Sequence, residues 1–212
     1  MSFITEIAVQ HRNRNYLLGD LGESALGFNA GVAGTFMALS NGNRVAQGVV
    51  GGATYVAANS ETLHTLAAGG KYYCEVGYNG GTKFGTNIPP AIGMGIANST
   101  SGANTVQVPY VMKGAFGFSG AARPECFPGD IINYAVDFTA NKVWIGLNGA
   151  WVNGGDPALG TLPDGSGLLG AGSWRIIVIG NQAGVAATYN FTAYFGASQF
   201  AYPAPAGFSP WG

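Results

Sequence analysis

One stretch in the second half of the chain constrains the fold more than any other. In residues 131–138 the even-numbered side chains are large and apolar, whereas two of the odd-numbered ones are Asn and Asp. Such alternation is typical of a β-strand with one buried face. A turn at 139–142 separates this strand from the apolar residues 143–147, and an Asn-Gly turn then leads into 150–152. Because Asn-Gly is a strong hairpin signal, the stretch predicts antiparallel strands joined by short turns.

Similar short segments recur along the chain, with roughly 8–12 residues from one to the next. They lie at 36–39, 44–50, 54–57, 71–78, 91–97, 114–119, 174–179 and 189–195. The 36 glycines fit this pattern, because they follow no Gly-X-Y period and can supply many tight turns and bulges. No long helix is expected, only a single helical turn within 62–68. The sequence therefore predicts an all-β fold, a two-sheet antiparallel jelly-roll-like β-sandwich.

The first part of the chain does not share this pattern. Residues 1–34 are predicted to form an extended N-terminal arm, and residues 35–212 the sandwich. The arm carries candidate anchors in an apolar cluster and in the polar run that follows it: Phe3, Ile4, Ile7, Arg12 and Arg14. It is too poor in apolar residues to offset an ordering cost of about 1–2 kcal/mol per residue by itself. We therefore expect it to order against a partner, for attachment or oligomerisation, or else to add an edge strand to its own sandwich.

The charge content argues against several classes of partner. Charged residues make up 9% of the chain and the formal net charge is -1, so no basic face is available to neutralise phosphates. Nucleic-acid binding is therefore not expected. The first residues lack a basic segment followed by an apolar one, and no apolar run is long enough to span a membrane, so neither a signal peptide nor a membrane span is expected. Without export, Cys74 and Cys126 are expected to be reduced and buried.

Several segments occur in an order that is typical of one β-sandwich family. They are residues 71–76 (Lys-Tyr-Tyr-Cys-Glu-Val), 92–97 (Ile-Gly-Met-Gly-Ile-Ala), 129–138 (Gly-Asp-Ile-Ile-Asn-Tyr-Ala-Val-Asp-Phe), 142–151 (Lys-Val-Trp-Ile-Gly-Leu-Asn-Gly-Ala-Trp) and the tail elements 155–158, 195–200 and 205–208. This order resembles the SPRY domain family, and the tail is similar to that of its microbial and bacteriophage members. Cys74 stands where the family usually has an aromatic residue.

The resemblance covers about residues 36–208 and implies two packed antiparallel sheets that present loops to a partner. Those loops would be 79–90, 98–110 and 153–172, which are rich in Gly, Asn, Ser and Thr. Loops of this composition bind through amide and backbone hydrogen bonds and a few aromatic contacts. The candidate binding residues in or beside them are Tyr110, Trp151 and Asp156.

Groups that could carry catalysis are scarce. The two histidines, His11 and His64, are expected at the surface, since no nucleophile elbow or metal-ligand spacing accompanies either. Asp130 and Asp137 are expected to serve turns, and the carboxylates of the 153–172 loop lack the ligand spacing of a calcium loop. We therefore expect no enzymatic activity, no metal and no cofactor.

These observations favour a structural or binding protein of a bacteriophage virion, in capsid decoration or in tail or fibre attachment. The unmatched arm suits docking on a larger body. Expected partners are virion structural proteins or a host surface glycan, with homo-oligomerisation inside the assembly. The alternative is a free lectin-like carbohydrate-binding module. A hydrolase on the same architecture is a third class, and the scarcity of acid–base pairs argues against it.

Overall fold

The computed structural model of the chain describes residues 26–29, 37–48, 56–60, 62–81, 93–97, 110–111, 126–180 and 189–212. Nearly all of the regular structure in them is β-strand, arranged in two sheets whose strand pairs are antiparallel with one exception. The predicted all-β sandwich is therefore confirmed. The predicted segment 114–119 lies outside the described residues. No helix in the described part of the chain has the length and hydropathy needed to cross a membrane.

The larger sheet runs in the order β1-β2-β13-β5-β8-β9-β10, with β11 also paired to β9 and β14 parallel to β5. Its strands are β1 (Met37–Ser40), β2 (Val45–Gly48), β5 (Lys71–Gly81), β8 (Ile131–Asp137), β9 (Lys142–Leu147), β10 (Ala150–Trp151), β11 (Gly165–Ser166), β13 (Tyr189–Tyr194) and β14 (Ser209–Pro210). Strand β5 runs three residues beyond its predicted end at 78. Residues 79–81 therefore belong to a strand and not to the predicted loop 79–90.

The hairpin predicted at 131–147 is confirmed. Strands β8 and β9 pair from Ile132 opposite Leu147 to Asp137 opposite Lys142. Asp137 closes the turn as expected, because its Oδ1 accepts the Ala140 N–H at 2.7 Å, and its Oδ2 lies 3.2 Å from Lys71 Nζ.

The smaller sheet has the order β3-β12-β6-β7, with β4 also paired to β12. Its strands are β3 (Val56–Asn59), β4 (His64–Thr65), β6 (Gly93–Ala97), β7 (Tyr110–Val111) and β12 (Ser173–Gly180). The helical turn predicted within 62–68 is wrong: β4 extends the sheet beside Ser173 and Trp174, and a tight turn follows it. Pairing with β12 satisfies more of its backbone groups than an isolated helical turn would.

The main core lies between the two sheets. From the larger sheet it takes the alternating inward residues of β5, β8, β9 and β13, and from the smaller sheet Trp174, Ile176 and Val178. Cys74 and Cys126 lie in this core as free, buried thiols. Cys74 thus fills an inward position of β5.

The end of the predicted arm reaches this core. Phe28 is fully buried, forms an isolated bridge with Ser60, and donates its N–H to Asn43 O at 2.8 Å. Residues 26–29 are therefore packed into the sandwich. The anchors Phe3, Ile4, Ile7, Arg12 and Arg14 lie outside the described residues, so their attachment role stays a prediction.

The C-terminal tail, residues 196–212, packs on part of the outer face of the larger sheet. A second, smaller core forms beneath it from Tyr73, Ala135 and Trp144, packed against Trp151, Phe200, Ala204 and Phe208. At the end of the tail Trp211 is fully buried, and its indole N–H lies 3.3 Å from Ser60 Oγ and 3.2 Å from Thr62 O. The tail therefore closes the sandwich by packing on both of its sheets.

Candidate functional site

Of the three loops predicted to face a ligand, 153–172 is the one that the structure describes in full. The segment between β10 and β11, residues 152–164, is named the β10–β11 loop. It starts with a short 3-10 turn at Val152–Gly154, in which Asn153 and Gly154 both have left-handed backbone angles, with φ of 59° and 68°. This turn directs the chain away from the edge of the larger sheet.

The base of the loop is fixed to that edge by a buried carboxylate. Asp164 is 6% exposed, and its Oδ2 accepts the backbone N–H of Ile145 at 2.8 Å. Strands β10 and β11 pair with the two ends of β9, so Asp164 completes the coverage of the edge between them. Covering an edge in this way prevents its unpaired N–H groups from recruiting another strand.

The middle of the loop is a small hairpin-like turn. Asp156 and Thr161 exchange two backbone hydrogen bonds of 3.2 and 3.0 Å, and Asp156 Oδ1 accepts the Leu159 N–H at 3.1 Å. Two side chains of β9 bind the same turn from below: Lys142 Nζ donates to Gly160 O at 2.8 Å, and Trp144 Nε1 to Thr161 O at 2.7 Å. The turn is therefore held by its own backbone and by the sheet.

Two leucines of this loop, together named its tip, are exposed: Leu159 lies within the turn, and Leu162 directly follows Thr161, which closes the turn. Leu159 is 76% exposed and Leu162 is 62% exposed, the two highest values among the four exposed large apolar side chains of the described residues, which also include Leu63 and Phe127. Leu162 also has a φ of 44°, a left-handed conformation that is uncommon for residues other than Gly, Asn and Asp. The backbone of Leu162 packs closely against Gly155: a Cβ added at Gly155 would lie only 2.8 Å from Leu162 O. The loop is thus a rigid support for two exposed apolar side chains.

The predicted binding residues Trp151 and Asp156 make contacts within the fold, and the binding roles of these two residues and of Tyr110 stay predictions. Trp151 is half-buried and packs edge-on against Tyr73 at 6.2 Å in the smaller core, and Asp156 shapes the turn. Tyr110 lies in β7 opposite Met94, and its side chain is outside the described residues. Leu159 and Leu162 were missed, although apolar residues inside a segment rich in Gly, Pro and Asp were a signal that could have pointed to them.

His64 is half-buried, whereas a surface position was expected. Its ring stacks on Tyr72 at 3.5 Å, meets Trp211 edge-on at 4.7 Å, and Nε2 is 2.8 Å from Trp211 O. Burial lowers the pKa of this imidazole, with a smaller opposing effect from the hydrogen bond. His64 is therefore a packing residue that joins β4 to the end of the tail.

The five carboxylates of the described residues all accept a backbone N–H. They are Glu75, Asp130, Asp137, Asp156 and Asp164. In the same residues no three His, Cys, Asp or Glu side chains form a group that could hold a metal ion. The acidic side chains of the described residues thus serve the fold, and the expected turn roles of Asp130 and Asp137 are confirmed.

The tail itself lines an open depression of about 340 Å³. Phe200 and Phe208 in its lining also pack against the smaller core, and the remaining lining is Ala, Pro and Tyr202. The depression therefore lacks the convergent polar side chains that fix the orientation of a small ligand.

The fold is similar to that of solved SPRY domains. No protein-family model and no curated protein matches the chain. The SPRY domain of human HERC1 is similar over 79% of this chain and 97% of its own, at 13% identity and a TM-score of 0.52. Another human SPRY domain matches 79% of this chain and 96% of its own at 11% identity, with a TM-score of 0.44. A candidate glycosyl hydrolase from Parabacteroides distasonis matches 78% of this chain and 89% of its own at 12% identity, with a TM-score of 0.39. The likeness to the HERC1 domain, together with the two-sheet arrangement, shows a SPRY-like β-sandwich fold.

Proposed function

We propose that this chain is a non-catalytic binding module that holds a protein partner through the tip of the β10–β11 loop. The observation that carries the proposal is the exposure of Leu159 and Leu162 on a turn that the sheet fixes from below. Exposed apolar side chains on a rigid support are a common feature of protein-binding surfaces. Because the loop is already ordered, its binding would lose little conformational entropy.

The left-handed backbone of Leu162 supports a functional reading of the tip. A non-glycine residue in this conformation costs of the order of 1 kcal/mol or more, and such strain is found preferentially at binding and active sites. A leucine there also gains nothing from burial in its own fold, since it is 62% exposed. Contact with a partner would remove this apolar surface from water.

The chemistry of the tip favours an apolar protein surface over a sugar. Leucine side chains neither donate nor accept hydrogen bonds, whereas a sugar presents hydroxyl groups that need partners. The lectin-like alternative is therefore not favoured at this loop. The use of all five described carboxylates as acceptors for backbone N–H groups supports the non-catalytic part of the proposal.

For the biological setting we propose a bacteriophage particle, assembled in the host cytoplasm, in which the partner is a virion structural protein. This rests on the resemblance of the tail to microbial and bacteriophage SPRY members and on the apolar and basic residues of the arm. Deletion of residues 2–25 tests the role of the arm, because it leaves the buried Phe28 in place. A folded truncated protein that no longer joins particles is expected. One that joins them normally rules out attachment through the arm, and a full-length protein that joins no particles contradicts the setting.

Photo-crosslinking tests the docking surface. A photoreactive residue at position 159 or 162 is expected to crosslink the chain to one protein, and the same residue at Leu63 is not. Leu63 is a suitable control because it is 41% exposed and lies outside the loop. The same adduct from all three positions, or none from 159 and 162, would contradict docking through the loop.

A further inference from the structure

The outer face of the larger sheet has a second part that the tail does not cover. It is built by β2, β13 and β5, and its polar outward side chains are Gln47, Asn79, Asn190, Thr192 and Tyr194, with the apolar Val45 on the same side opposite Thr192. We name these five polar residues the open face. Gln47 and Asn79 are exposed, and the other three are half-buried.

A β-bulge creates the centre of the open face. Asn190 pairs with Gly80 and Phe191 with Tyr78, so Asn79 is an extra residue in β5. The bulge brings the Asn79 side chain beside two residues of β13: its Nδ2 donates to Asn190 Oδ1 at 3.0 Å and to Thr192 Oγ1 at 2.6 Å. Bulges often re-aim a side chain next to a functional site.

These hydrogen bonds determine what the cluster can offer to a ligand. The two bonds use both hydrogens of Asn79 Nδ2, so the atom that this amide can present is its Oδ1, an acceptor. The Asn190 amide accepts through Oδ1 and can donate through Nδ2, and the Thr192 hydroxyl accepts and can still donate its own hydrogen. Gln47 pairs directly with Asn190 and adds a second exposed amide. The open face therefore holds donors and acceptors in one fixed group.

An aromatic ring lies at the border of this group. The Tyr194 ring packs over Gly77 of β5, where a Cβ would lie only 3.0 Å from Tyr194 Cε2. Since Gly77 has no side chain, the ring can lie close to the backbone of the sheet. Tyr194 also pairs with Glu75, the residue at which the tail begins to cover the sheet.

The open face carries no charged side chain, since its members are two Asn, one Gln, one Thr and one Tyr. Ordered amides beside a partly exposed aromatic ring match a ligand with many neutral hydroxyl groups and flat C–H faces. We propose that the open face binds a neutral carbohydrate, with Tyr194 against a sugar ring and the amides on its hydroxyl groups. This site is separate from the β10–β11 loop and does not depend on the function proposed for it.

Titration with defined sugars tests the proposal. The probes are the hexasaccharides of cellulose, mannan, amylose and chitin, with a polygalacturonate oligomer as the acidic control, monitored by protein NMR. At least one neutral probe is expected to shift the Tyr194 and Asn79 signals, with an affinity that salt does not change, because no ion pair is involved. Tyr194→Ala and Asn79→Ala are expected to weaken that affinity by about tenfold or more, and Tyr194→Phe by about twofold at most.

Two further variants keep the test decisive. Gly77→Ala displaces the Tyr194 ring without removing any binding group, and is also expected to weaken binding. Leu159→Ser, on the separate loop, is expected to leave it unchanged. No binding of any neutral probe at about 10 mM, about the weakest affinity expected for a specific site, overturns the proposal. Sugar binding that the variants do not change also overturns it, and so does a salt-dependent preference for the acidic oligomer. The proposal is likewise overturned if the variants lose a protein complex and no sugar binds.

Discussion

Glu75 is the residue that attaches the C-terminal tail to the sheet. It is 0% exposed, and its two oxygens accept the Ala201 N–H at 2.7 Å, the Tyr202 N–H at 2.9 Å and the Tyr73 hydroxyl at 2.7 Å. The Tyr73 oxygen in turn accepts a hydrogen bond from Asn133 Nδ2 at 2.8 Å. A buried carboxylate is tolerated here because three donors converge on it.

Glu75→Ala is therefore expected to lower the free energy of unfolding by about 3 kcal/mol, because it leaves buried donors without an acceptor. Glu75→Gln, which keeps one acceptor oxygen, is expected to cost about half as much. Urea denaturation monitored by tryptophan fluorescence measures both. Asp156→Ala serves as the control, since it removes a single hydrogen bond from an exposed turn and is expected to cost about 1 kcal/mol or less. A Glu75→Ala protein no less stable than this control would contradict the role of Glu75.

At the scale of elements, β9 supports the candidate site. The side chains of Lys142 and Trp144 donate hydrogen bonds to the turn of the β10–β11 loop. Further along β9, the backbone N–H of Ile145 donates to Asp164. The same strand therefore contributes to the core with one face and to the loop with its edge. A change that separates the loop from β9 should alter binding more than folding.

Gly155→Ala is such a change. Its Cβ would lie 2.8 Å from Leu162 O and 3.0 Å from Trp144 Cδ1, so the loop has to move away from the sheet. We expect a loss of stability of about 1–3 kcal/mol and a loss of partner binding. Gly170→Ala is the matched control, because nothing lies within 4 Å of its added Cβ. Thermal unfolding together with amide exchange at residues 156–162 measures the effect, and equal exchange in the two variants would contradict the rigid support.

The strand pairing that was predicted correctly is one between neighbours in sequence, although several strands with distant partners were also predicted as segments. The β8–β9 hairpin followed from its alternation and its turns, because its partner strand is the next one along the chain. The positions of His64 and Trp211 depend on a tail that returns across about 150 residues, and no local pattern records that contact. The exposed leucines were missed for a related reason: a loop composition rich in Gly, Pro and Asp marks the segment, but whether its apolar side chains are buried or exposed depends on the surrounding structure.

At the scale of the whole molecule, the free energy of unfolding depends on pH. The reason is that three buried side chains can each lose a proton, namely those of Cys74, Cys126 and Tyr73. Burial, with a smaller effect from the Asp130 charge, raises the pKa of Cys126 from 9.0 to about 12. Burial also raises the pKa of Cys74 well above 9.0, and that of Tyr73 above 10.0. In the unfolded chain these groups lose their protons at lower pH than in the folded protein. The free energy that these groups contribute to folding is therefore fully present below their pKa values in the unfolded chain. It is lost as the pH rises through their pKa values in the folded protein.

The free energy of unfolding is thus expected to change little between about pH 7 and pH 8 and to fall above about pH 8, by up to about 1.4 kcal/mol per pH unit for each group. Urea titrations across this range measure the slope. Cys126→Ala should reduce it, because one of the shifted groups is removed. A slope that the variant does not change would contradict the burial of that thiol.

The central claim is that a SPRY-like sandwich binds a protein partner through the tip of the β10–β11 loop. The most direct measurement is the affinity of the purified crosslinked partner for the double variant Leu159→Ser/Leu162→Ser, with Leu63→Ser as control. Because the two leucines are exposed, the double variant should fold with unchanged stability while binding weakens by about tenfold or more. The control should bind like the original protein. A double variant that binds its partner as tightly as the control would contradict the account.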